Sequence, residues 1–297
     1  MDLREVSAMN VGIIGAGRLG SAFAVALNKI GACVGGIYSR SEESSRLLCR
    51  KVGIETENSM EAAVRNSDAI LLAVSDNHIG NVAAEIASCI NKKYIEGKIF
   101  LHLSGALTSE ILKPLEDLGA FTGSFHPIQT FADRDNGWKK LFNCFFGFEG
   151  CIEAKKYAEA IVEKLEGKLI LIEKEQKNLY HAAACIISNY TVTLFHIMHQ
   201  LLVKAGMDEN TAADAFLPLL KNTVDNIEKL GYINALTGPI SRGDHKVIEK
   251  HIDSLLKEIP EYEAIYRMLG KYTLDVADKR GSISNEDKKK LIELLET

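Results

Sequence analysis

The sequence predicts an α/β domain built on a doubly wound parallel sheet, followed by an all-α domain. Three observations carry this. A short strand-forming run opens onto a glycine-rich turn and an apolar helix, between Asn10 and Ile30. Further apolar runs then alternate with helical periodicities to about residue 172, the pattern of a parallel sheet covered by helices. From Glu173 the β-branched runs disappear and helical periodicity takes over, which sets the division at 1–172 and 173–297. A chain of 297 residues is long enough for two such domains.

The elements follow in order. Val11, Ile13 and Ile14 form the first strand, and Gly15, Gly17 and Gly20 fall at G-x-G-x-x-G spacing after it. Gly15 makes the tight turn, Gly17 lets a pyrophosphate approach the backbone, and Gly20 lets helix and strand pack closely. The helix N-terminus offers unpaired amides and the positive dipole end to phosphate. Because the motif follows a strand and opens a helix, it reads as a dinucleotide-binding turn, expected to use Gly15, Ala16, Gly17, Arg18 and Leu19. Ala32 to Tyr38 is the second strand. Its tip, Tyr38-Ser39-Arg40-Ser41, lacks the carboxylate that binds ribose hydroxyls in NAD enzymes and offers a guanidinium and hydroxyls instead. Ser39, Arg40 and Ser41 suit a 2′-phosphate, so the expected cofactor is NADP. The alternative is that Arg40 caps a turn while Glu42 or Glu43 reaches the ribose.

Ser59 to Asn66 is a short helix, and the apolar run Asp68 to Val74 is a strand covered on both faces. It ends in a polar loop, with Val74 and Ser75 expected at the cofactor. Ile79–Ile90 and Ser109–Leu118 are helices, and Lys98–Leu103 is a strand leading to Ser104, Gly105 and Ala106, with Ser104 and Gly105 also expected at the cofactor. Phe121–Phe125 is a strand followed at once by His126-Pro127. Cys144–Phe148 and Leu169–Ile172 are two more strands around the helix Glu153–Glu166. Helical periodicity then runs through Lys174–Lys204, Glu209–Leu230, Asp244–Lys257, Tyr262–Ala277 and a charged last segment from Asn285.

Composition narrows the functional classes. Net charge is −5 with no long basic run, which argues against nucleic acid as a partner. The apolar stretch Leu179–Val203 is interrupted by His181, Asn189, His196 and His199, so it reads as a buried helix, not a membrane span. The six cysteines form no Cys-x-x-Cys pair, and most read as small buried hydrophobes. Met1 to Asn10 is polar, with no signal-peptide pattern, and leads into the first strand. These features point to a reducing, cytoplasmic setting.

If hydride moves to or from a carbonyl, alkoxide charge develops and a nearby proton donor helps. His126 sits at a strand end where ligands bind in open α/β sheets, and is the expected acid/base, the alternative being a structural histidine that bonds a backbone carbonyl in the loop. On the first long helix, Lys177, His181 and Ser188 share a face, with Asn189 beside them. His181 and Asn189 are expected to bind substrate, or to belong to a buried polar network that orients the domains. His102 lies within a strand and reads as buried and neutral. His196 and His199 lack further ligands nearby in sequence, so no metal site is expected. Arg242 either holds an anionic substrate or pairs with a carboxylate, and Asp244 is an expected helix cap.

Taken together, several segments resemble one family. They are the glycine turn, Tyr38-Ser39-Arg40, Leu103-Ser104-Gly105, Phe125-His126-Pro127-Ile128-Gln129-Thr130-Phe131, Ser188-Asn189-Tyr190 and Leu236-Thr237-Gly238-Pro239-Ile240-Ser241-Arg242-Gly243-Asp244. The family is that of Rossmann-like proteins with a C-terminal domain of unknown function, usually named as NADP oxidoreductases. Its wider relatives include pyrroline-5-carboxylate reductase, ketopantoate reductase, the 3-hydroxyisobutyrate and 6-phosphogluconate dehydrogenases, and prephenate dehydrogenase. The resemblance implies an NADP-dependent enzyme acting on a small anionic metabolite, and a homodimer formed through the C-terminal helices. Ser124-Phe125-His126-Pro127 is similar to the prephenate dehydrogenase segment whose histidine contacts the hydroxyl being oxidised. Ser104-Gly105 is similar to the substrate loop of hydroxyacid dehydrogenases. The Lys-x-x-x-Asn pair of those enzymes is replaced here by Lys177 and His181. A 2-oxo acid like ketopantoate is the first expectation for substrate, a pyrroline imine the second, and a non-catalytic NADP sensor the alternative class.

Overall fold

The computed structural model describes residues 10–55 and 57–296, so the polar segment read as leading into the first strand lies outside the described residues except at Asn10. Seven strands form one sheet: β1 (Asn10–Ile14), β2 (Cys33–Tyr38), β3 (Ala69–Leu72), β4 (Ile99–His102), β5 (Phe121–Pro127), β6 (Phe145–Gly150) and β7 (Lys168–Leu171). Their order is β2-β1-β3-β4-β5-β6-β7. Every neighbouring pair is parallel except β5 and β6. The helices between them are α1 (Arg18–Lys29), α2 (Glu42–Val52), α3 (Met60–Arg65), α4 (Asp76–Cys89), α5 (Lys113–Glu116) and α6 (Ile152–Lys164).

Successive strand residues face opposite sides of the sheet, and each side has its own core. Ile13, Leu71, Leu101 and Phe125 pack with Phe23 of α1 and Tyr157 and Ile161 of α6. Ile14, Ile70, Leu72 and Phe100 pack with Ile79, Ala83 and Ile86 of α4. The rings of Phe125 and Phe146 stack at 4.9 Å across the antiparallel pair.

Strand β5 runs two residues further than the expected Phe121–Phe125, through His126 and Pro127. The amide of Ile128 donates to the Phe145 carbonyl. The amides of Ser124, His126 and Ile128 therefore face β6, and those of Phe125 and Pro127 face the other way. On that side β4 has already ended at His102, opposite Ser124. The missing proline N–H leaves no ladder bond unmade. The expected helix Ser109–Leu118 is a 3-10 turn, Ser109–Leu112, leading into the short α5.

The chain forms two compact units that divide after Ser188, within α7 (Lys177–Lys204), whereas composition set the division at 172/173. The second unit holds the rest of α7, α8 (Glu209–Leu230), α9 (His245–Glu258), α10 (Glu263–Arg280) and α11 (Asn285–Glu296). Its core gathers Ile248 and Ile252 of α9, Leu274 and Ala277 of α10, and Leu291 and Leu295 of α11. The charged last segment is thus a packed helix.

Two expectations are corrected. The Leu179–Val203 stretch is not buried: Leu179 is 70% exposed and Ile187 74%, and Lys177 is the buried residue of α7. Periodicity showed a helix with apolar residues on most sides but could not show what covers them. The cysteines are also less buried than expected: Cys49 and Cys144 are buried, while Cys33 and Cys89 are exposed. Among the described residues, no helix is long and apolar enough to cross a membrane.

Candidate functional site

β1 lies between β2 and β3, so the strand order reverses at β1 and a crevice opens at the carboxyl ends of β1 and β3. Each glycine of the motif behaves as its spacing implies. Gly15 has φ +110°, and a Cβ there would lie 2.5 Å from the Ala73 carbonyl oxygen. A Cβ at Gly20 would lie 1.9 Å from the Gly15 oxygen. A Cβ at Gly17 would meet nothing within 4 Å, so the fold does not need that glycine. Gly17 is the N-cap of α1 and makes no side-chain cap, leaving the first-turn amides open to a ligand anion.

A cleft of about 400 Å³ lies over this turn. Of the predicted set it is lined by Gly15, Ala16, Gly17, Ser39, Arg40, Val74 and Ser75. It is also lined by Tyr38 of the strand tip and His78, which the sequence places in the polar loop after β3, and by Asn81 and Glu85, which the sequence reading passed over. The Ser75 hydroxyl and His78 Nδ1 are 2.8 Å apart. Asn58 braces the tip of β2, accepting from the Ser39 amide at 3.1 Å and donating to its carbonyl at 3.0 Å. Arg40 is exposed at this tip. Glu42 is engaged by Arg46 at 2.6 Å. Arg18, Leu19 and Ser41 do not line the cleft, nor do Ser104 and Gly105, which were also expected at the cofactor. Arg18 is exposed, Leu19 packs on the core, and Ser41 caps α2 by accepting from the Ser44 amide. From the loop after β5, Arg134 Nη2 donates to the Ala16 carbonyl at 2.8 Å. The amides, the glycines and Arg40 fit a dinucleotide with a phosphorylated ribose.

A second constellation forms further along the same edge, where β4, β5 and the first turns of α7 meet. Ser124 and His126 point to one face of β5, being two residues apart. Lys177, Tyr180 and His181 share a face of α7. Lys177 Nζ donates to the Ser124 hydroxyl, which donates to the Ser104 carbonyl at 3.0 Å. His126 Nδ1 and the Tyr180 hydroxyl are 2.8 Å apart. The rings of His126 and His181 lie edge to face at 6.2 Å. Gly105 fits between them: a Cβ there would lie 2.7 Å from His181 Nδ1 and 2.9 Å from His126 Cε1. The Tyr180 hydroxyl sits over Gly147 of β6, 2.7 Å from where a Cβ would be.

The loop after β4 is held from below. His102, fully buried, accepts the Ser104 amide on Nδ1 at 3.2 Å and donates from Nε2 to the Thr108 carbonyl at 3.1 Å. Burial holds it neutral, at about 3. The Ser104 hydroxyl accepts from the amides of Ala106 and Leu107. Burial, then His181 and Lys177, lowers His126 to about 4. Burial also lowers Lys177 to about 8, against the pull of Glu149 and Asp76, and raises Tyr180 to about 12. The Glu149 carboxylate is taken up by the Ser109 amide and hydroxyl at 2.6 and 2.7 Å.

The structure thus brings together His126, His181, Ser104 and Gly105. Asn189 is exposed, eight residues beyond His181 and about 12 Å along the helix axis. Lys177 was visible in the sequence as part of a polar stripe. Tyr180 carried no signal, since nothing in its local pattern points to a strand 54 residues earlier. Elsewhere, Arg242 pairs with Asp244 at 3.0 Å, so the Asp244 side chain does not cap α9 as expected. His199 Nε2 lies 3.0 Å from the Glu209 carbonyl. Among the described residues no three His, Cys, Asp or Glu side chains gather as they would around a metal ion.

Two family models match the chain: a Rossmann-like domain at residues 2–127 and the domain of unknown function DUF2520 at residues 144–273. The chain pairs these two domains, as the resemblance implied. No curated protein matches it. Among solved structures, protein TM1727 from Thermotoga maritima is 27% identical with a TM-score of 0.71, over 91% of this chain and 98% of that one. A provisionally named NADP oxidoreductase from Bacteroides fragilis is 24% identical with a TM-score of 0.70, over 91% and 99%. A pyrroline-5-carboxylate reductase from Coxiella burnetii is 16% identical with a TM-score of 0.59, over 92% and 98%.

Proposed function

We propose that this pairing of a Rossmann-like domain with DUF2520 is an NADP-dependent oxidoreductase that acts on the C=O or CH–OH group of a small anionic metabolite. The observation that carries the proposal is the cluster of Lys177, Ser124, His126, Tyr180 and His181 on the same sheet edge as the glycine turn. Strands β1 and β5 are three positions apart, about 14 Å. That distance is within the span of an extended dinucleotide, whose phosphates would lie on Gly15, Ala16 and Gly17 and whose 2′-phosphate would meet Ser39 and Arg40.

When bound, NADPH supplies a hydride to the carbonyl carbon. This chain supplies placement and a proton. Lys177, held near 8, is protonated at neutral pH yet gives up its proton readily, as a general acid must. His126, held near 4, is neutral there, so we assign it to holding the substrate oxygen rather than to protonating it. This refines the expectation that made His126 the acid. His181 stands beside it as a further polar contact. A donor set with its nearest carboxylate already engaged by Ser109 favours an anionic substrate. A 2-oxo acid like ketopantoate fits better than a pyrroline imine, because a protonated imine would meet the Lys177 ammonium.

The exposed apolar residues of α7 and α8, among them Ile186, Val192, Leu219 and Val224, support a homodimer through these helices. Sedimentation equilibrium that finds a monomer at micromolar concentration would remove that part. A thermal-denaturation series with NADP⁺, NADPH, NAD⁺ and NADH, alone and with 2-oxo acids and cyclic imines, tests the rest. The expected outcome is a large shift with NADP(H) that one acid raises further. No shift with any nucleotide would overturn the reading. Binding without hydride exchange from labelled NADPH to any substrate would favour a sensor.

A further inference from the structure

We infer that Tyr180 is a positioning residue that locks His126 in its Nε2–H tautomer, making the histidine a neutral hydrogen-bond donor toward the substrate oxygen. The inference deepens the catalytic reading above and rests on it for its functional consequence, but not for its structural content.

Three features of the ring's surroundings carry it. First, the Tyr180 hydroxyl lies 2.8 Å from His126 Nδ1, and among the described residues this is the bond that hydroxyl makes. A phenol is the better donor of the two and an unprotonated ring nitrogen the better acceptor, so Tyr180 donates to Nδ1 and the ring proton sits on Nε2. Second, both flanks of the pair are glycine. Gly147 leaves the space that the tyrosine hydroxyl fills, and a Cβ at Gly105 would lie 2.9 Å from Cε1 and 3.0 Å from Nδ1 of the imidazole. A side chain at either position would displace one partner. Third, the two elements are in step. Lys177 meets Ser124 and Tyr180 meets His126, a two-residue step on the strand matched to a three-residue step on the helix.

The titratable groups around His126 are His102 of β4, Lys177, Tyr180 and His181 of α7, Cys144, which precedes β6 and acts on Tyr180, and Glu149 of β6, opposite Ser124, whose carboxylate is held by Ser109. The charges that act on the imidazole are the cation and the neighbouring ring, and both oppose an imidazolium. The tyrosine hydroxyl stays protonated far above neutral pH, so its donor role persists across the working range. His126 then cannot accept a proton on Nε2, and catalysis in the oxidative direction must use another base, for which Lys177 is placed.

Long-range 1H–15N correlation spectra of the side chains of the uniformly labelled full-length protein test this without cofactor or substrate. His126→Gln identifies the His126 signals. In the parent at pH 7, His126 should show the Nε2–H pattern and keep it to below pH 5. An Nδ1–H pattern, or an imidazolium at pH 7, overturns the inference. In Tyr180→Phe, checked for an unchanged backbone spectrum, the ring should become a tautomer mixture, and its protonation midpoint should rise by at least about half a pH unit. A midpoint and tautomer unchanged from the parent also overturn it, while a Tyr180→Phe chain that does not fold leaves the parent spectrum as the deciding result. These readouts are independent of turnover. A locked tautomer with no hydride-transfer activity would sink the catalytic reading alone, and an active enzyme with an unlocked ring would sink only the role of Tyr180.

Discussion

Replacing Lys177 by Met probes the electrostatics of the site without a substrate. Lys177 is 1% exposed, and burial lowers it from 10.5 to about 8. Folding therefore weakens its hold on a proton by a factor of about 300, a ceiling of about 3 kcal/mol. The sign follows from the direction of the change. The fold disfavours the protonated amine, so the penalty is complete below pH 8, shrinks between pH 8 and 10.5, and vanishes above. Methionine fills a similar volume without charge but gives up the bond to Ser124, worth about 1 kcal/mol. At pH 7 Lys177→Met should be more stable than the parent by about 1–2 kcal/mol. By pH 10.5 the difference should fall by about 2 kcal/mol, after allowing for the water that screens a group beside a cleft. Urea unfolding of both chains from pH 6 to 10.5, compared as variant minus parent, cancels the other titrating groups. A difference that stays flat over that range would show an ordinary lysine, and the argument for Lys177 as proton donor would fail.

Other substitutions separate fold from binding. Gly17→Ala should leave stability within about 1 kcal/mol, because a Cβ there meets nothing, yet weaken NADPH binding at least about tenfold in a fluorescence titration. Gly20→Ala, with its Cβ driven onto the Gly15 oxygen, should lower stability by more than about 3 kcal/mol, and a thermal midpoint close to the parent's would contradict the geometry. Arg40→Ala should reduce the preference for NADPH over NADH by about tenfold to a hundredfold, and an unchanged ratio of dissociation constants would move the 2′-phosphate elsewhere. The Tyr157 hydroxyl is buried and makes no bond among the described residues, so Tyr157→Phe should raise stability by about 1 kcal/mol in calorimetry, whereas a loss of that size would reveal a hidden partner.

What the sequence could tell divides along a physical line. The glycine turn was legible because Gly15 and Gly20 answer to contacts within the turn or with Ala73 just after β3, and their spacing records those contacts, while Gly17 stands where a ligand would approach. The central strands β3 and β4 were legible because both of their faces are covered, which makes them nearly unbroken apolar runs. The extension of β5 through Pro127 was not, since it depends on where a neighbouring strand stops. The exposure of α7 was hidden for a related reason: hydrophobicity reports what a side chain prefers, not what stands opposite it. In the candidate site, His126 could be found from its place at a strand end. Its coupling to Tyr180 could not, because that bond depends on how the first turns of α7 settle beside β5.

The bond from Arg134 to the Ala16 carbonyl sets an order of events in the life of the chain. The turn is written in the first twenty residues, but one of its braces comes 118 residues later. At a synthesis rate of about 5–20 residues per second, some 6–24 s separate the making of the turn from the making of its brace. During that interval the nascent glycine loop emerges without its guanidinium, and early ribosome-bound chains should bind nucleotide more weakly than complete ones. A long-range contact of this kind also belongs to the slow class of folding events, so the nucleotide site should be finished late in folding although it begins the sequence.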